Sequence, residues 1–350
     1  MGKNNLIGEI PYEIGILSYL VALQLNGNML QGNLPSGLQN CSRLHILDVG
    51  DNLLVGKIPL WLSHFFELMI LVLRSNKLQG QIPNPLSNLS KLHVLDISHN
   101  NLTGPIPSDL GNLAIMLDPH PQVRSANASE HSYYYKEEIQ VINKGSELTY
   151  YDSILLLITC IDLFENQLYD GIPLEIGNLQ GLHTLNLSRN NLIGDIPITF
   201  GMLEQLESLD LSNNKLHGNI PNEMLKLSSM STFIVYNNML CGTIPTGGQF
   251  ATFNLTFFSN NPSLCGFPLD NKTCKCGEKS NIDMAHLLDE EIEEESEIPW
   301  HWYVEWMASF ATGFWGVFGI LIVKRYWRRK YIQLLDEVAI SFLDRLRGIK

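Results

Sequence analysis

Short alternations of apolar and polar residues recur along the chain, and each one breaks off at an asparagine. Residues 92–107 show the pattern in full: LHVLDISHNNLTGPIP. Period two over the first part predicts a short strand, with Leu95 and Ile97 facing a core and Asp96 and Ser98 facing out. The asparagines fall at Asn4, Asn28, Asn52, Asn76 and Asn100, each 24 residues after the last, and resume at Asn166, Asn190, Asn214 and Asn238. Around each the frame is L-x-L-x-x-N-x-L-x-G-x-I-P, with departures such as Leu34 for isoleucine and Asp170-Gly171 around the usual glycine. A repeat of this length predicts a stacked solenoid, in which no coil buries its leucines alone and neighbouring coils bury them together. The asparagine amide carries donors and an acceptor for the backbone of adjacent coils. Glycine permits a tight bend, and Ile-Pro favours an extended segment after it.

The 24-residue frame with its G-x-I-P half resembles the plant extracellular leucine-rich repeat. That resemblance implies a right-handed leucine-rich-repeat solenoid, an α/β-type horseshoe of the plant extracellular subtype, lying outside the cell. It also places the boundaries. Repeats occupy residues 1–116, the first of them partial, and four more occupy residues 158–257. Between them Asn100 and Asn166 stand 66 residues apart, so residues 117–157 are an insertion. The insertion holds Tyr133, Tyr134, Tyr135, Tyr150 and Tyr151, and tyrosine suits interfaces because it buries much area at low entropy cost. Its run KGSELTYYDSILLLITCIDLFENQL resembles the island of plant receptor-like proteins, in which four repeats also follow. Phe164 departs from that family, which has serine there.

Residues 258–280 include NNPSLCGFPLDNKTCKC, which resembles the C-terminal cap of plant leucine-rich-repeat ectodomains. The resemblance implies that Cys265 pairs with a nearby cysteine, Cys274 or Cys276. A zinc site lacks a fourth ligand at finger spacing, and a disulfide suits an oxidising compartment. Cys41, Cys160 and Cys241 lie within coils and read as packed thiols. Glycosylation sequons begin at Asn40, Asn88, Asn101, Asn127, Asn186, Asn254 and Asn271.

The net charge of -13 argues against nucleic acid as a partner, because phosphate contacts need clustered lysine and arginine. The charge is unevenly placed. Residues 324–350 carry eight basic and three acidic residues, or +5, which leaves -18 for the rest. Residues 281–305 form an acidic segment with seven acids between positions 289 and 297. After it, residues 306–323 are uncharged and apolar, at 1.5 Å per residue just long enough to cross a bilayer core of about 30 Å as a single helix. Trp300, Trp302 and Tyr303 precede the apolar run, Trp306 opens it, and Tyr326 and Trp327 follow it. With Lys324, Arg325, Arg328, Arg329 and Lys330 behind, they predict a type I protein with extracellular repeats and a cytosolic tail at 324–350. Ser309, Gly313, Gly316 and Gly319 place small residues for close pairing with a second helix. In the tail, Ile332, Leu335, Val338, Phe342 and Leu346 recur at helical spacing, as for a helix on the inner leaflet. The start, MGKNNL, shows neither a signal peptide nor a myristoylation site, and it opens in mid-coil. This is the pattern expected of a cytosolic protein or of a piece of a longer parent, and the mid-coil start favours the second.

No kinase signature, P-loop, nucleophile elbow or H-E-x-x-H is present, so an enzyme is not expected, nor a cofactor or metal. The order of repeats, insertion, four repeats, cap, acidic segment, span and short tail resembles that of plant receptor-like proteins without a kinase. The group similar to receptors for fungal xylanase is the best match. The resemblance implies a plasma-membrane receptor for an extracellular protein or peptide, signalling through a partner receptor kinase by way of the acidic segment and the span. A developmental peptide co-receptor would share this architecture, and a truncated product could act as a decoy. A soluble wall-protein inhibitor would lack the span. Ligand contacts would come from outward strand positions on the concave face: Asp48, Val72, Arg74, Asp96, His99, Asn186, Arg189 and Tyr236. Val72 and Arg74 break the polar pattern and, with Tyr133, Tyr134 and Tyr135, are the strongest candidates.

Overall fold

In each coil the alternating segment becomes a strand of three residues, because only that much of the 24-residue period is uninterrupted alternation. A computed structural model describes residues 2–119, 139–143, 146–150, 158–269, 274 and 276. All of them lie in the first of two contact units, 1–278 and 279–350. The short strands, from Ala22–Gln24 through Val94–Asp96 and Cys160–Asp162 to Thr232–Ile234, stack in chain order as an eight-stranded parallel sheet. Their inward leucines, Leu47, Leu71, Leu95, Leu185 and Leu209, are at most 1% exposed. Fully burying each stabilises by roughly 2 kcal/mol.

The residue before each repeat asparagine turns the chain with a left-handed backbone: Asp51, Ser75, His99, Glu165, Arg189, Asn213 and Asn237 have φ between 49° and 56°. The asparagine then enters the interior. Asn52 accepts the Leu30 N–H of the preceding coil at 3.0 Å and donates to the Leu25 carbonyl of that coil at 3.0 Å. It also donates to Val49 and Gly50 of its own turn, at 3.1 and 2.9 Å. Asn76, Asn100, Asn166, Asn190, Asn214 and Asn238 repeat the pattern. Asn261 continues the ladder by accepting Leu240 N–H at 3.0 Å. It stands 23 residues after Asn238, one short of the period that reveals the others.

Beyond the asparagine the chain forms a second strand, such as Asn101–Gly104, and these build a ten-stranded sheet. The repeat pattern announces a bend and an extended segment there, and hydrogen bonding between coils turns that segment into a sheet. Each proline after it is extended, as Pro107 is at φ -62° and ψ 128°, and the 3-10 helix Ser108–Asn112 starts at the next residue. Here the structure corrects the α/β expectation. The coils close through five-residue 3-10 helices, and the one α-helix among the described residues is Ala114–Leu117. Twenty-four residues shared between two strands and an Ile-Pro segment leave no length for an α-helix on the third side. These helices stack closely: a Cβ on Gly111 would overlap the Glu175 carbonyl of the next coil.

The insertion does not interrupt the stack. Asp96 pairs in register with Asp162, and Leu102 N–H reaches Asn166 at 3.0 Å across 64 residues of chain. Within the insertion, Ile139–Asn143 and Ser146–Tyr150 form an antiparallel hairpin. At the first coil Leu6 and Leu17 are 39% and 54% exposed, whereas the equivalent Leu54 and Leu89 are fully buried between coils. At the other end Phe233, Phe250, Phe253 and Phe258 close the core with ring centroids 5.3 to 6.4 Å apart. Strand Ser263–Cys265 then adds an edge to the larger sheet. Disulfides join Cys265 to Cys274 and Cys241 to Cys276, with Cα atoms 5.4 and 5.2 Å apart. Cys241 is therefore not a packed thiol, because strand Met239–Thr243 lies beside the cap and presents it there. Cys41 and Cys160 are buried free thiols.

Replacing Asn190 by alanine removes the acceptor for Leu168 N–H and the donors to the Leu163, Leu187 and Ser188 carbonyls, at 3.0–3.2 Å. Urea unfolding should show a loss of about 2–4 kcal/mol from these orphaned buried groups. An unchanged midpoint would mean that the ladder adds nothing to stability.

Candidate ligand-binding face

On the eight-stranded sheet the residue between the two inward apolar positions points away from the leucine core. In chain order that row reads Gln24, Asp48, Val72, Asp96, Asp162, Asn186, Asp210 and Ile234, each in register with the next. Five of its six polar members share one local job. The first carboxylate oxygen of Asp48, Asp96, Asp162 and Asp210 accepts the N–H two residues on, at 2.9–3.1 Å, and Asn186 does the same with its amide oxygen at 3.1 Å. This bond ties down the turn into the left-handed residue.

The structure corrects the expectation of solvated positions for part of the row. Val72 and Asp96 are each 1% exposed and Asp48 is 4%. Val72 packs in an apolar cluster with Ile46, Ile70, Val94 and Cys160, also on the outward side, which accounts for its break from the polar pattern. Arg74, the other break, is 5% exposed. Its Nε lies 3.3 Å from Asp51 Oδ2 and its Nη1 lies 3.7 Å from Asp96 Oδ2, so it neutralises two acids of this face. Asp96 Oδ2 has no hydrogen-bond partner among the described residues.

Burial sets the acidity here. It pushes Asp48 up to about 6, and the Gly50 N–H and Arg74 only partly oppose it. Burial also raises Asp96, against the pull of Ser98 and Arg74, and raises Asp210. Asp162 lies well above the usual carboxylate range, first through burial and then through the Asp96 charge in the next strand.

His99, Glu165 and Arg189 share the left-handed position of successive coils, so the stack brings together three side chains far apart in sequence. Glu165 Oε2 lies 3.5 Å from His99 Nδ1 and 3.6 Å from Arg189 Nη1. Phe164 sits beneath them, edge-on to His99 at 4.7 Å and 5.6 Å from the Arg189 guanidinium. An open groove of about 350 Å³ runs between His99, Asn100, Asn101, Glu165, Asn166 and Gln167. Phe164 and Glu165 belong to this cluster although the strand pattern gave no reason to choose them; the only signal was Phe164 where the family resemblance expects serine. Tyr236 is 37% exposed and its hydroxyl accepts from Asn260 at 3.1 Å.

Of the sequons, Asn40, Asn88, Asn101 and Asn254 are exposed and lie away from the outward row. Asn186 lies within that row, half-buried, its Oδ1 bonded to Ser188 N and Oγ at 3.1 and 2.6 Å. Tyr133, Tyr134, Tyr135, Asn127, Asn271, Ser309, Gly313, Gly316, Gly319 and the 306–323 segment lie outside the described residues. Among the described residues no helix is long and apolar enough to cross a membrane, and no group of His, Cys, Asp or Glu is arranged to hold a metal.

The leucine-rich-repeat family profile matches residues 67–89, 91–113, 181–203 and 205–227. No curated protein sequence matches the chain. Among solved structures, the chain is similar to the ectodomain of the Arabidopsis receptor kinase HAESA bound to an IDA peptide hormone. That match has TM-score 0.60 and 28% identity, over 78% of this chain and 38% of that one. HAESA in complex with IDA and the co-receptor SERK1 gives TM-score 0.52 and 26% identity, over 78% and 42%. The plant peptide hormone receptor RGFR1, bound to RGF2, gives TM-score 0.57 and 28% identity over 70% and 32%. A plant ice-binding protein gives 0.53 and 28% over 79% and 83%. The chain spans 32–42% of these three receptor chains. It carries leucine-rich repeats in a solenoid similar to plant leucine-rich-repeat receptor ectodomains.

Two outcomes follow. Because folding raises the Asp48 pKa, the native state keeps a proton that the unfolded chain releases from pH ~4 upward. Stability should be greatest below that point and fall as pH rises through about 6, by up to ~3 kcal/mol from this group. Unfolding titrations should show a flatter profile for Asp48→Asn, and an equally steep one would refute the assignment. In protein secreted by plant cells, peptide mass spectrometry should find glycans at Asn40, Asn88, Asn101 and Asn254 and none at Asn186. Full occupancy of Asn186 would put a glycan on the outward row and overturn the expectation drawn from its half-buried position.

Proposed function

We propose that this chain belongs to a plant cell-surface receptor-like protein, of the type similar to receptors for secreted microbial proteins. It recognises an extracellular protein or peptide on the outward face of its eight-stranded sheet. A single-pass segment at 306–323 places the repeats outside, and the signal passes to a partner receptor kinase through the acidic segment and the small residues Ser309, Gly313, Gly316 and Gly319. The observation that carries this reading is an unbroken outward face, continuous across a 42-residue excess of sequence, in a solenoid similar to ectodomains that bind peptide hormones. A co-receptor in one of those complexes supports a kinase partner. A developmental peptide as ligand is the second reading, favoured because the similar receptors bind hormones. Catalysis forms no part of either.

The ice-binding protein, of which the chain covers 83%, suggests a different role. The equivalent exposed positions of the ten-stranded sheet are Ile7, Gln31, Val55, Gln79, Tyr169, Ile193 and His217, chemically uneven from coil to coil. That unevenness argues against a repeating flat array.

Expressed in plant cells, the tagged chain should be glycosylated, resist salt extraction from membranes and co-precipitate a leucine-rich-repeat receptor kinase. Leucine at Gly313 and Gly316, or neutral residues across positions 289–297, should weaken that co-precipitation. Release by salt, or kinase capture indifferent to both changes, would reject the proposal.

A further inference from the structure

The groove between the coils on either side of the insertion has a sequon built into its wall. Asn101 lines one side, and Glu165 and Gln167 line the other. Asn5, Asn101 and Asn191 share one position of the repeat frame, yet only Asn101 begins a sequon, because Thr103 stands where the other two coils have Ile7 and Ile193. A glycan attachment point and a groove therefore coincide at one coil junction, and it is the junction that the insertion crosses.

The lining selects a neutral, polar occupant. Its one acid, Glu165, faces His99 at 3.5 Å and Arg189 at 3.6 Å, so the groove carries no strong unopposed charge. At the floor, the buried Asn100 and Asn166 spend their amides on the ladder between coils. At the lip, the side chains of Asn101 and Gln167 are exposed and make no hydrogen bond among the described residues. A volume of about 350 Å³ lies at the low end for small-ligand clefts, room for a sugar unit and not for a protein segment. An N-acetylhexosamine brings hydroxyls and an acetamido group, donor and acceptor together, which match a free amide and a carboxylate.

We propose that Asn101 carries an N-linked glycan whose first N-acetylglucosamine lies in this groove and bonds Gln167 and Glu165 of the next coil. Attachment forms a bond from Asn101 Nδ2 to the sugar C1 as the C1–O bond to a lipid diphosphate donor breaks. The diphosphate leaves, and the amide loses one proton and keeps one N–H. The sugar then clamps the coil before the insertion to the coil after it, at the junction where the chain has no short connection of its own. This inference rests on the reading above that the repeats are extracellular, and it assigns the groove to the chain's own glycan, leaving the eight-stranded sheet for the ligand.

The test uses the full chain expressed in plant cells and treated, while native, with a glycan-releasing amidase, each site being followed by mass spectrometry. Release at Asn101 should be at least about fivefold slower than at the exposed Asn40 and Asn88, the protection given by one net hydrogen bond. The difference should vanish after denaturation. Gln167→Ala removes a lip amide and should speed release at Asn101 alone. Thr103→Val deletes the sequon but keeps a β-branched strand residue, and it should lower the urea midpoint. Thr103→Ser keeps the sequon and should leave the midpoint in place. Equal release at all three sites overturns the groove contact, and so does a Gln167→Ala effect common to all three, which would show general loosening. A midpoint unmoved by Thr103→Val overturns the clamp. If Asn40 and Asn88 carry glycans and Asn101 does not, the inference fails and the extracellular reading stands; glycan at none of the three refutes that reading as well.

Discussion

Every coil of this protein depends on one side-chain amide placed between two turns of backbone. The repeat asparagine is buried, and a buried amide is costly unless all its groups are bonded. Here it reaches an N–H and a carbonyl of the preceding coil and two carbonyls of its own. Those are backbone groups that a chain bending into its own core could not otherwise satisfy. Leucine supplies most of the stabilisation, but hydrophobic burial is non-directional and would accept many registers. The amide accepts one. Shifting a coil by a residue would strand the asparagine as well as exposing leucines, and that fixes the rise from coil to coil.

This constraint explains how the insertion is tolerated. The amide of Asn166 is indifferent to whether 24 or 66 residues separate it from Asn100. It requires only that Leu102 N–H and the Ile97 carbonyl arrive opposite it, and both do. Extra loop length costs little entropy once the ends are held, because the cost grows only with the logarithm of length. The two halves of the solenoid are therefore one stack, and the outward row of the eight-stranded sheet passes through the junction unbroken.

The outward row separates two kinds of departure from pattern. Val72 and Arg74 look like specific residues placed for a partner, yet one joins an apolar cluster and the other neutralises Asp51 and Asp96. The aspartates look like ordinary polar residues of a solvated strand, yet their burial and neighbouring charges put them under electrostatic tension. Sequence novelty thus proved a poor guide to this face.

Much of the fold was legible in the sequence because its causes are local and repeated. Period two, asparagine, glycine and Ile-Pro at fixed offsets dictate a strand, an inward turn and an extended return, and repetition at 24 residues dictates stacking. The interior leucines and the role of the asparagine follow from those spacings alone. What the tertiary structure decided are matters of proximity between coils. Hydrogen bonding between neighbours made a second sheet from segments too short to announce one, and steric economy made the closing helices 3-10. The approach of the cap to strand Met239–Thr243 chose the partners of Cys241 and Cys265. Stacking gathered His99, Phe164, Glu165 and Arg189 into one cluster, across an insertion that hides their nearness along the chain. The acidity of the outward aspartates depends on desolvation and on the charge one strand away, and neither can be read from a residue's place in its own repeat.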